Sequence, residues 1–226
     1  MEERLHLYEK LLSLPLFMGM GSEEMSEIIG QTRFGFFKVP AGETAIHEGD
    51  ACTRLVILLH GSVAAMHQAD DHGYTVIEQL SAPVLIEPFQ LFGLHPHYVR
   101  TYNAIADSGF VTLGKDEVMA LFDRYLVFRL NWLNLLTTTS QKLAHGPWRV
   151  PLSTLRQRIA RFVVDHCLRP AGRKEIHIRM LRLADELHES RLHVSQALHS
   201  LQADGLLTLS RSRITIPALE DLIARS

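Results

Sequence analysis

The stretch from Leu181 to Ile216, LRLADELHESRLHVSQALHSLQADGLLTLSRSRITI, decides the fold of the C-terminal part of this 226-residue chain. Its apolar spacing predicts a first helix, Leu181–Leu187, and a second helix, Arg191–Ala203. A tight connection, His188–Ser190, joins the two. A pair of short helices joined this tightly is the arrangement of a helix-turn-helix.

The second helix separates apolar from polar side chains. Val194, Leu198 and Leu201 follow spacings of four and three, so they would bury the helix against the first one. We expect the segment from about Ser190 to Leu201 to be a recognition helix, because polar residues at the N-terminal end of a helix suit the major groove. The candidate contact residues are Ser190, Arg191, Leu192, His193, Ser195, Gln196 and His199.

A hairpin follows the second helix. Gly205 turns the chain into the apolar run Leu206–Leu209, and Ile214–Ile216 returns after the tip. Arg211 and Arg213 at the tip lie where a phosphate backbone would pass, which makes the hairpin a wing. The alternative, a helical pair and hairpin without a nucleic-acid role, remains open, but the wing arginines favour DNA.

Two side chains of the helix have specific base partners. Arg191 can offer two parallel donors to guanine O6 and N7. Gln196 can pair with adenine N6 and N7, although a phosphate contact or a solvated side chain is an equal alternative for it.

Composition agrees with a polyanion partner for the C-terminal part. The net charge is −2, but residues 1–148 hold 10 basic and 17 acidic side chains, whereas 149–226 hold 13 and 8. The 46% hydrophobic content is that of a globular chain, and no apolar run has transmembrane length. Cys52 and Cys167 are far apart and form no metal-ligand pattern, so we expect no disulfide, no zinc module and a reducing cytoplasm.

The rest of the chain predicts a β domain between helices. Residues 1–30 are typical of short helices, and 33–114 of short strands separated by turns, as in a small barrel or sandwich. The expected strands are Phe34–Val39, Thr44–Ile46, Leu55–Leu59, Val63–His67, Thr75–Gln79, Asn103–Ala106 and Phe110–Gly114. Helices are expected at Asp116–Arg124, Tyr125–Ala144 and Leu152–Leu168, with a hinge at Gly146-Pro147-Trp148 and Pro151.

The helix Tyr125–Ala144 carries a stripe with alternating spacings of four and three. Its members are Leu126, Leu130, Leu133, Thr137, Ser140 and Ala144. The stripe predicts either packing on the helix's own domain or one half of a dimeric coiled coil, and the pattern alone favours neither.

Several motifs together resemble the CRP/FNR superfamily of bacterial transcription regulators over nearly the whole chain. Val39-Pro-Ala-Gly-Glu43 through His47-Glu-Gly-Asp50 is similar to its early β-roll motif, and Leu55–Val63 to its strand–Gly–strand hairpin. Ser190-Arg191 with Val194 matches the start of its recognition helix.

The resemblance implies an α+β fold: an N-terminal double-stranded β-helix (a jelly-roll-like β-roll), a long dimerisation helix and a C-terminal winged helix-turn-helix. The expected domains are 1–124 (effector β-roll), 125–148 (dimerisation helix and hinge) and 149–226 (DNA-binding domain). The implied partners are double-stranded DNA, RNA polymerase and a second copy of the chain. The copies would meet through Leu126, Leu130, Leu133, Thr137 and Ser140. The resemblance implies neither a membrane partner nor an enzymatic activity.

The effector site departs from the cAMP-responsive members. Glu87, Arg100 and Thr101 match their ribose- and phosphate-binding residues, and Thr139-Ser140 their purine contact. However, Ile86 replaces a glycine that lets the backbone approach the ligand, and Pro88 removes an amide donor. These departures argue against cAMP binding of that kind and leave no certain cofactor; the open alternatives are a cyclic nucleotide or another small effector, and ligand-independent regulation.

The histidines and cysteines bear on two other chemistries, a bound iron cofactor and a metal enzyme. Two distant cysteines cannot hold an iron–sulfur cluster, whereas His95 and His97 leave a haem-sensing member open. A cupin-like metal enzyme is the remaining alternative, but adjacent His47 and Glu48 point to opposite faces of a strand, so no convincing ligand set is found.

The recognition helix also departs from the family pattern. Leu192 and Gln196 replace the usual glutamate and arginine. Leu192 cannot accept a hydrogen bond from cytosine N4, but it can pack on a thymine methyl group. The sequence therefore predicts a half-site different from the family consensus.

Overall fold

The computed structural model describes residues 2–145 and 152–226. The predicted hinge at Gly146-Pro147-Trp148 and Pro151 lies outside them. The described residues form two compact units, 2–63 with 80–145, and 64–79 with 152–226. Among the helices described, none is long and apolar enough to cross a membrane.

The elements follow one another as helices, strands, helices and a winged helix. In chain order they are α1 (Glu2–Leu12), a 3-10 turn (Pro15–Phe17), α2 (Ser22–Gln31), β1 (Gly35–Val39), β2 (Thr44–Ile46), β3 (Arg54–His60), β4 (Ser62–Gln68), β5 (Tyr74–Ser81), β6 (Val84–Ile86), a second 3-10 turn (Pro88–Gln90), β7 (Thr101–Ala104), β8 (Ser108–Gly114), α3 (Lys115–Arg124), α4 (Leu126–His145), α5 (Leu155–Asp165), β9 (Lys174–Ile178), α6 (Met180–Glu186), α7 (Arg191–Ala203), β10 (Thr208–Ser210), β11 (Arg213–Ile216) and α8 (Leu219–Ala224).

The first unit contains most of a β-roll. Its four-stranded antiparallel sheet has the order β1-β8-β3-β6, and β2 pairs with β7. The run Leu55–Leu59 in β3 is buried at every position, because both faces of this strand are covered. The β-roll sheets, together with the winged helix of the second unit, confirm the predicted α+β class. The sequence pattern did not predict the strands β6 and β9 or the helix α8.

The long helix α4 has one packed face and one exposed face. Phe128 and Trp132 are buried and their rings lie 6.2 Å apart, while the Asn131 amide donates to Leu16 O and Met18 O. On the other face, Leu126, Leu130 and Leu133 remain 58%, 48% and 50% exposed. The helix therefore packs on its own domain and still presents an apolar stripe.

The second unit joins the winged helix to the hairpin formed by β4 and β5. Strand β9 lies between β11 and β5, with Val76 opposite Ile176 and Glu78 opposite Lys174. Val76 shares one hydrophobic core with α5, α6, α7 and the wing. The hairpin strand β5 thus completes the sheet of the DNA-binding unit.

A buried ion pair fixes this junction. Lys174 Nζ lies 3.0 Å from Glu78 Oε1 and also donates to Ala171 O, and both side chains are almost fully buried. The Glu78 carboxylate accepts two further bonds, from the backbone N–H groups of Leu168 and Arg169. A buried charge is tolerated when its hydrogen-bonding capacity is met in this way.

Candidate nucleic-acid interface

The connection between α6 and α7 is a tight turn with a helix cap. His188 adopts a left-handed conformation with φ 48°, which reverses the chain after Leu187. Ser190 is the N-cap of α7, and its hydroxyl accepts a hydrogen bond from His193 N at 3.2 Å. The cap satisfies one of the backbone donors left free at a helix start and fixes where the recognition helix begins.

Glu189 holds the same turn from the side. Its carboxylate accepts bonds from Ser190 N, from His193 Nδ1 at 3.0 Å and from Arg158 at 2.7 Å. These contacts, that of His193 first, lower the pKa of Glu189 to about 2. Glu189 and Arg158 were not predicted as functional residues, although the spacing of four between Glu189, just before the cap, and His193 in the first turn of α7 was a usable signal.

The recognition helix α7 has the predicted division into faces. Val194, Leu198 and Leu201 are fully buried. The remaining candidates lie on the outer side: Ser190, Arg191, Leu192, His193, Gln196 and His199 are exposed, and Ser195 is half-buried. Leu192, at 65% exposed, is a large apolar side chain held in solvent beside Arg191. The structure brings these side chains together on the first turns of one helix.

The wing is a two-residue hairpin with its arginines near the tip. Ser210 pairs with Arg213, which leaves Arg211 and Ser212 as the loop, and Ser212 has φ 55°. Arg211 and Arg213 are both exposed, but Arg213 Nε lies 3.3 Å from Glu175 Oε1. The pKa of Glu175 is lowered, mainly by its hydrogen bond with His177 and further by Arg213.

The candidate effector residues form a buried cluster in the first unit. Glu87 is 2% exposed, with φ 37°. Its carboxylate accepts bonds from Val99 N at 3.0 Å, Arg100 at 3.3 Å and the Tyr102 hydroxyl at 2.9 Å. We call Glu87, Arg100 and Tyr102, with the N–H of Val99, the Glu87 cluster. Tyr102 was not among the residues singled out from the sequence.

The other effector candidates have separate positions. The Thr101 hydroxyl accepts a bond from Glu48 N rather than joining the Glu87 cluster. On α4, the Thr139 hydroxyl donates to Leu135 O within its own helix, and Ser140 is exposed. Of the five candidates, only Glu87 and Arg100 are in direct contact in the hydrogen bonds of the described residues.

No metal centre emerges within 2–145 and 152–226, where no group of three or more His, Cys, Asp or Glu side chains is arranged to hold an ion. His95 and His97 are exposed loop residues. Cys52 and Cys167 are not joined by a disulfide, and burial raises the pKa of the Cys52 thiol.

A winged helix-turn-helix with an exposed polar face on its second helix, in a chain that also holds a β-roll, is the domain combination of a class of DNA-binding regulators. The family model of the cyclic nucleotide-binding domain matches residues 36–125, and that of the Crp-like helix-turn-helix domain matches 157–225. The chain belongs to the CRP/FNR superfamily of transcription regulators, a family of DNA-binding proteins rather than enzymes.

Solved structures agree with this fold. The catabolite activator protein of Thermus thermophilus is 21% identical with a TM-score of 0.53, over 93% of this chain and 98% of that one. The sensor domain of the regulator DNR from Pseudomonas aeruginosa is 16% identical with a TM-score of 0.52, over 69% of this chain and 100% of that one. Comparison with curated proteins gives no match.

Proposed function

We propose that this regulator binds a specific, two-fold symmetric DNA site as a homodimer and reads it with the first turns of α7. The observation that carries the proposal is the exposed set Arg191, Leu192 and Gln196 on a helix whose start is fixed by the Ser190 cap and Glu189. A fixed helix start matters because a bidentate contact needs both donor groups of a side chain to face one base at the same time.

Contacts divide by role along the interface. Arg191 donates to guanine, Leu192 packs on a thymine methyl group, and Gln196 pairs with adenine or a phosphate. The other members contact the phosphates and sugars: Ser190, His193, Ser195, His199, Arg211 and Arg213. A titration of duplex DNA at several salt concentrations tests the proposal, since binding through the wing arginines must weaken steeply as salt rises. Salt-independent binding, or none, would contradict it.

Dimerisation is supported by the exposed stripe of α4. Leu126, Leu130 and Leu133 are large apolar side chains at about half exposure, a pattern that a second copy of the helix would cover, with Thr137 and Ser140 continuing the line. Leu130→Glu should shift the protein to monomer in sedimentation experiments. Arg129→Glu, exposed on the neighbouring position, is the matched control and should leave the dimer intact.

The signal enters the β-roll and reaches the DNA-binding domain through α4, in the domain layout 1–124, 125–148 and 149–226. This is a coupling between two sites on one chain. The effector of the regulator is a cyclic nucleotide or another small molecule. The regulator acts in the cytoplasm, and its DNA-bound form contacts RNA polymerase.

A ligand-independent regulator is the second candidate, and the Glu87 cluster favours it. Two side-chain donors there already bond to protein, since the Glu87 carboxylate accepts from Arg100 Nη1 and from the Tyr102 hydroxyl. Thermal unfolding with cAMP, cGMP and haem separates the candidates. An unchanged Tm with all three supports regulation without these ligands, whereas a concentration-dependent rise with one of them identifies the effector.

A further inference from the structure

The first unit contains a half-open cleft away from the Glu87 cluster. It measures about 830 Å³ and lies between Leu7 of α1, the C-terminal end of α2 and the strands β1, β3 and β8. This volume falls in the range of small-molecule sites in proteins. Aromatic side chains form much of its lining, and the rings of Phe37 and Phe110 stack nearly parallel, 4.6 Å apart.

One wall of the cleft depends on a glycine. A Cβ atom on Gly109 would lie 2.3 Å from the His60 ring, so only glycine lets the imidazole lie against this strand. His60 thereby becomes a flat polar surface beside the aromatic pair. The cleft is therefore a shaped feature of the roll and not a gap between loops.

The charge of the cleft has one sign. Its charged lining residues are Arg33 and Lys38, and no Asp or Glu of 7–144 or 152–226 lines it. Arg33 and Lys38 are exposed at its mouth, and within 7–144 and 152–226, where side chains are described, no carboxylate pairs with either. In a domain with an acidic surplus, such a site attracts anions selectively.

We propose that this cleft binds a small organic anion with a flat apolar body, such as an aromatic carboxylate or sulfonate. The stacked rings and Phe36, which is 66% exposed at the rim, cover the apolar body. Arg33 and Lys38 meet the charged group. The site is distinct from the one that cyclic nucleotides occupy in the cAMP-responsive members, and its regulatory meaning rests on the proposed function.

Helix α2 connects the cleft to the long helix. Ile29, Thr32 and Arg33 line the cleft at the end of α2. One turn earlier, Glu27 Oε2 accepts a bond from the Tyr125 hydroxyl at 2.7 Å. Arg124 contacts both Glu27 and Gln31. Tyr125 lies between α3 and α4, so an occupant that shifts α2 also shifts the start of α4.

Two fluorescent probes test the site on the full-length protein without DNA: 8-anilinonaphthalene-1-sulfonate and its uncharged analogue N-phenyl-1-naphthylamine. Lys38→Glu should weaken the sulfonate about fivefold, the scale of an exposed charge contact, and leave the uncharged probe unchanged. Phe36→Ser should weaken both probes. Arg179→Glu, an exposed arginine of the second unit, is the control with the same change of charge and should alter neither.

Hydrogen exchange locates the probe. The sulfonate should slow amide exchange in 22–39 and alter it in 124–130, and Glu27→Ala, which removes the acceptor for Tyr125 and Arg124, should keep the first effect and lose the second. If Lys38→Glu bound the sulfonate as tightly as the wild type does, the proposal would be overturned. Exchange effects confined to other segments would also overturn it, as would probe fluorescence that appears only as near-UV circular dichroism is lost. None of these outcomes depends on DNA binding, whose failure would be seen separately.

Discussion

The recognition helix and the Glu87 cluster are both polar, yet they treat their side chains in opposite ways. On α7 the residues proposed to contact bases are exposed, and the start of their helix is fixed by the Ser190 cap, which is not among the proposed base contacts. In the Glu87 cluster the carboxylate is buried and three protein donors surround it. The contrast shows that a residue available for binding needs neighbours that fix its position but leave its own hydrogen-bonding groups without a partner in the protein.

The largest expected effect concerns the other buried carboxylate, Glu78. Lys174→Met should lower the free energy of unfolding by about 3–5 kcal/mol, because it leaves Glu78 buried without its counter-charge. Urea denaturation measures this. The double variant Glu78→Gln/Lys174→Met should recover part of the loss, since no charge is then buried. A loss as small as that of an exposed lysine would show that the pair is not buried in solution.

Glu87→Gln comes next. The amide keeps one acceptor oxygen but places an NH₂ group against donors, so about 1–3 kcal/mol of unfolding free energy should be lost. If the cluster is instead a ligand site that opens in solution, the variant will be nearly as stable as the wild type. Binding of DNA at low temperature should persist in either case, which separates folding from reading.

Arg191→Ala should weaken DNA binding and leave stability nearly unchanged. Its side chain is exposed, so stability should change by less than about 0.5 kcal/mol. The free energy of DNA binding should become less favourable by about 1–3 kcal/mol, and the preference for one base over the others should be relaxed at one base pair. Fluorescence anisotropy with single-base variants of the site measures both effects. An Arg191→Ala protein with unchanged base preference would remove this residue from the reading set.

The wing arginines should have the smallest and least specific effects. Arg211→Ala should weaken binding to all sequences alike and reduce the slope of log K against log salt by about one. Arg213→Ala should reduce it by less, because Glu175 already neutralises part of that charge. Equal slopes for both variants would mean that the pair with Glu175 breaks when DNA binds.

Helix α7 was predictable because its determinants are local. Val194, Leu198 and Leu201 set one apolar face and Ser190 caps the start, so the predicted range Arg191–Ala203 is confirmed. Strand β9 was missed although Glu175, Ile176, His177 and Ile178 alternate. Its inward positions begin with a lysine, Lys174, which suits a buried site only because Glu78 lies opposite it.

The Glu87 cluster was only partly predictable, because its members are distant from one another in the chain. Glu87 and Arg100 were found through a resemblance, but Tyr102 and the N–H of Val99 join them through strand geometry that spacing does not show. Local patterns predict helices and caps. Contacts between residues distant in the chain, which decide whether a polar group is available, require the folded structure.

Selection of binding sites from random DNA by the full-length protein tests the central claim most directly. The account predicts a two-fold symmetric site whose half-sites retain a guanine at the position that Arg191 reads. They should differ from the family consensus where Leu192 and Gln196 replace the usual glutamate and arginine. Recovery of the unaltered family half-site, or of no preferred sequence at all, would contradict it.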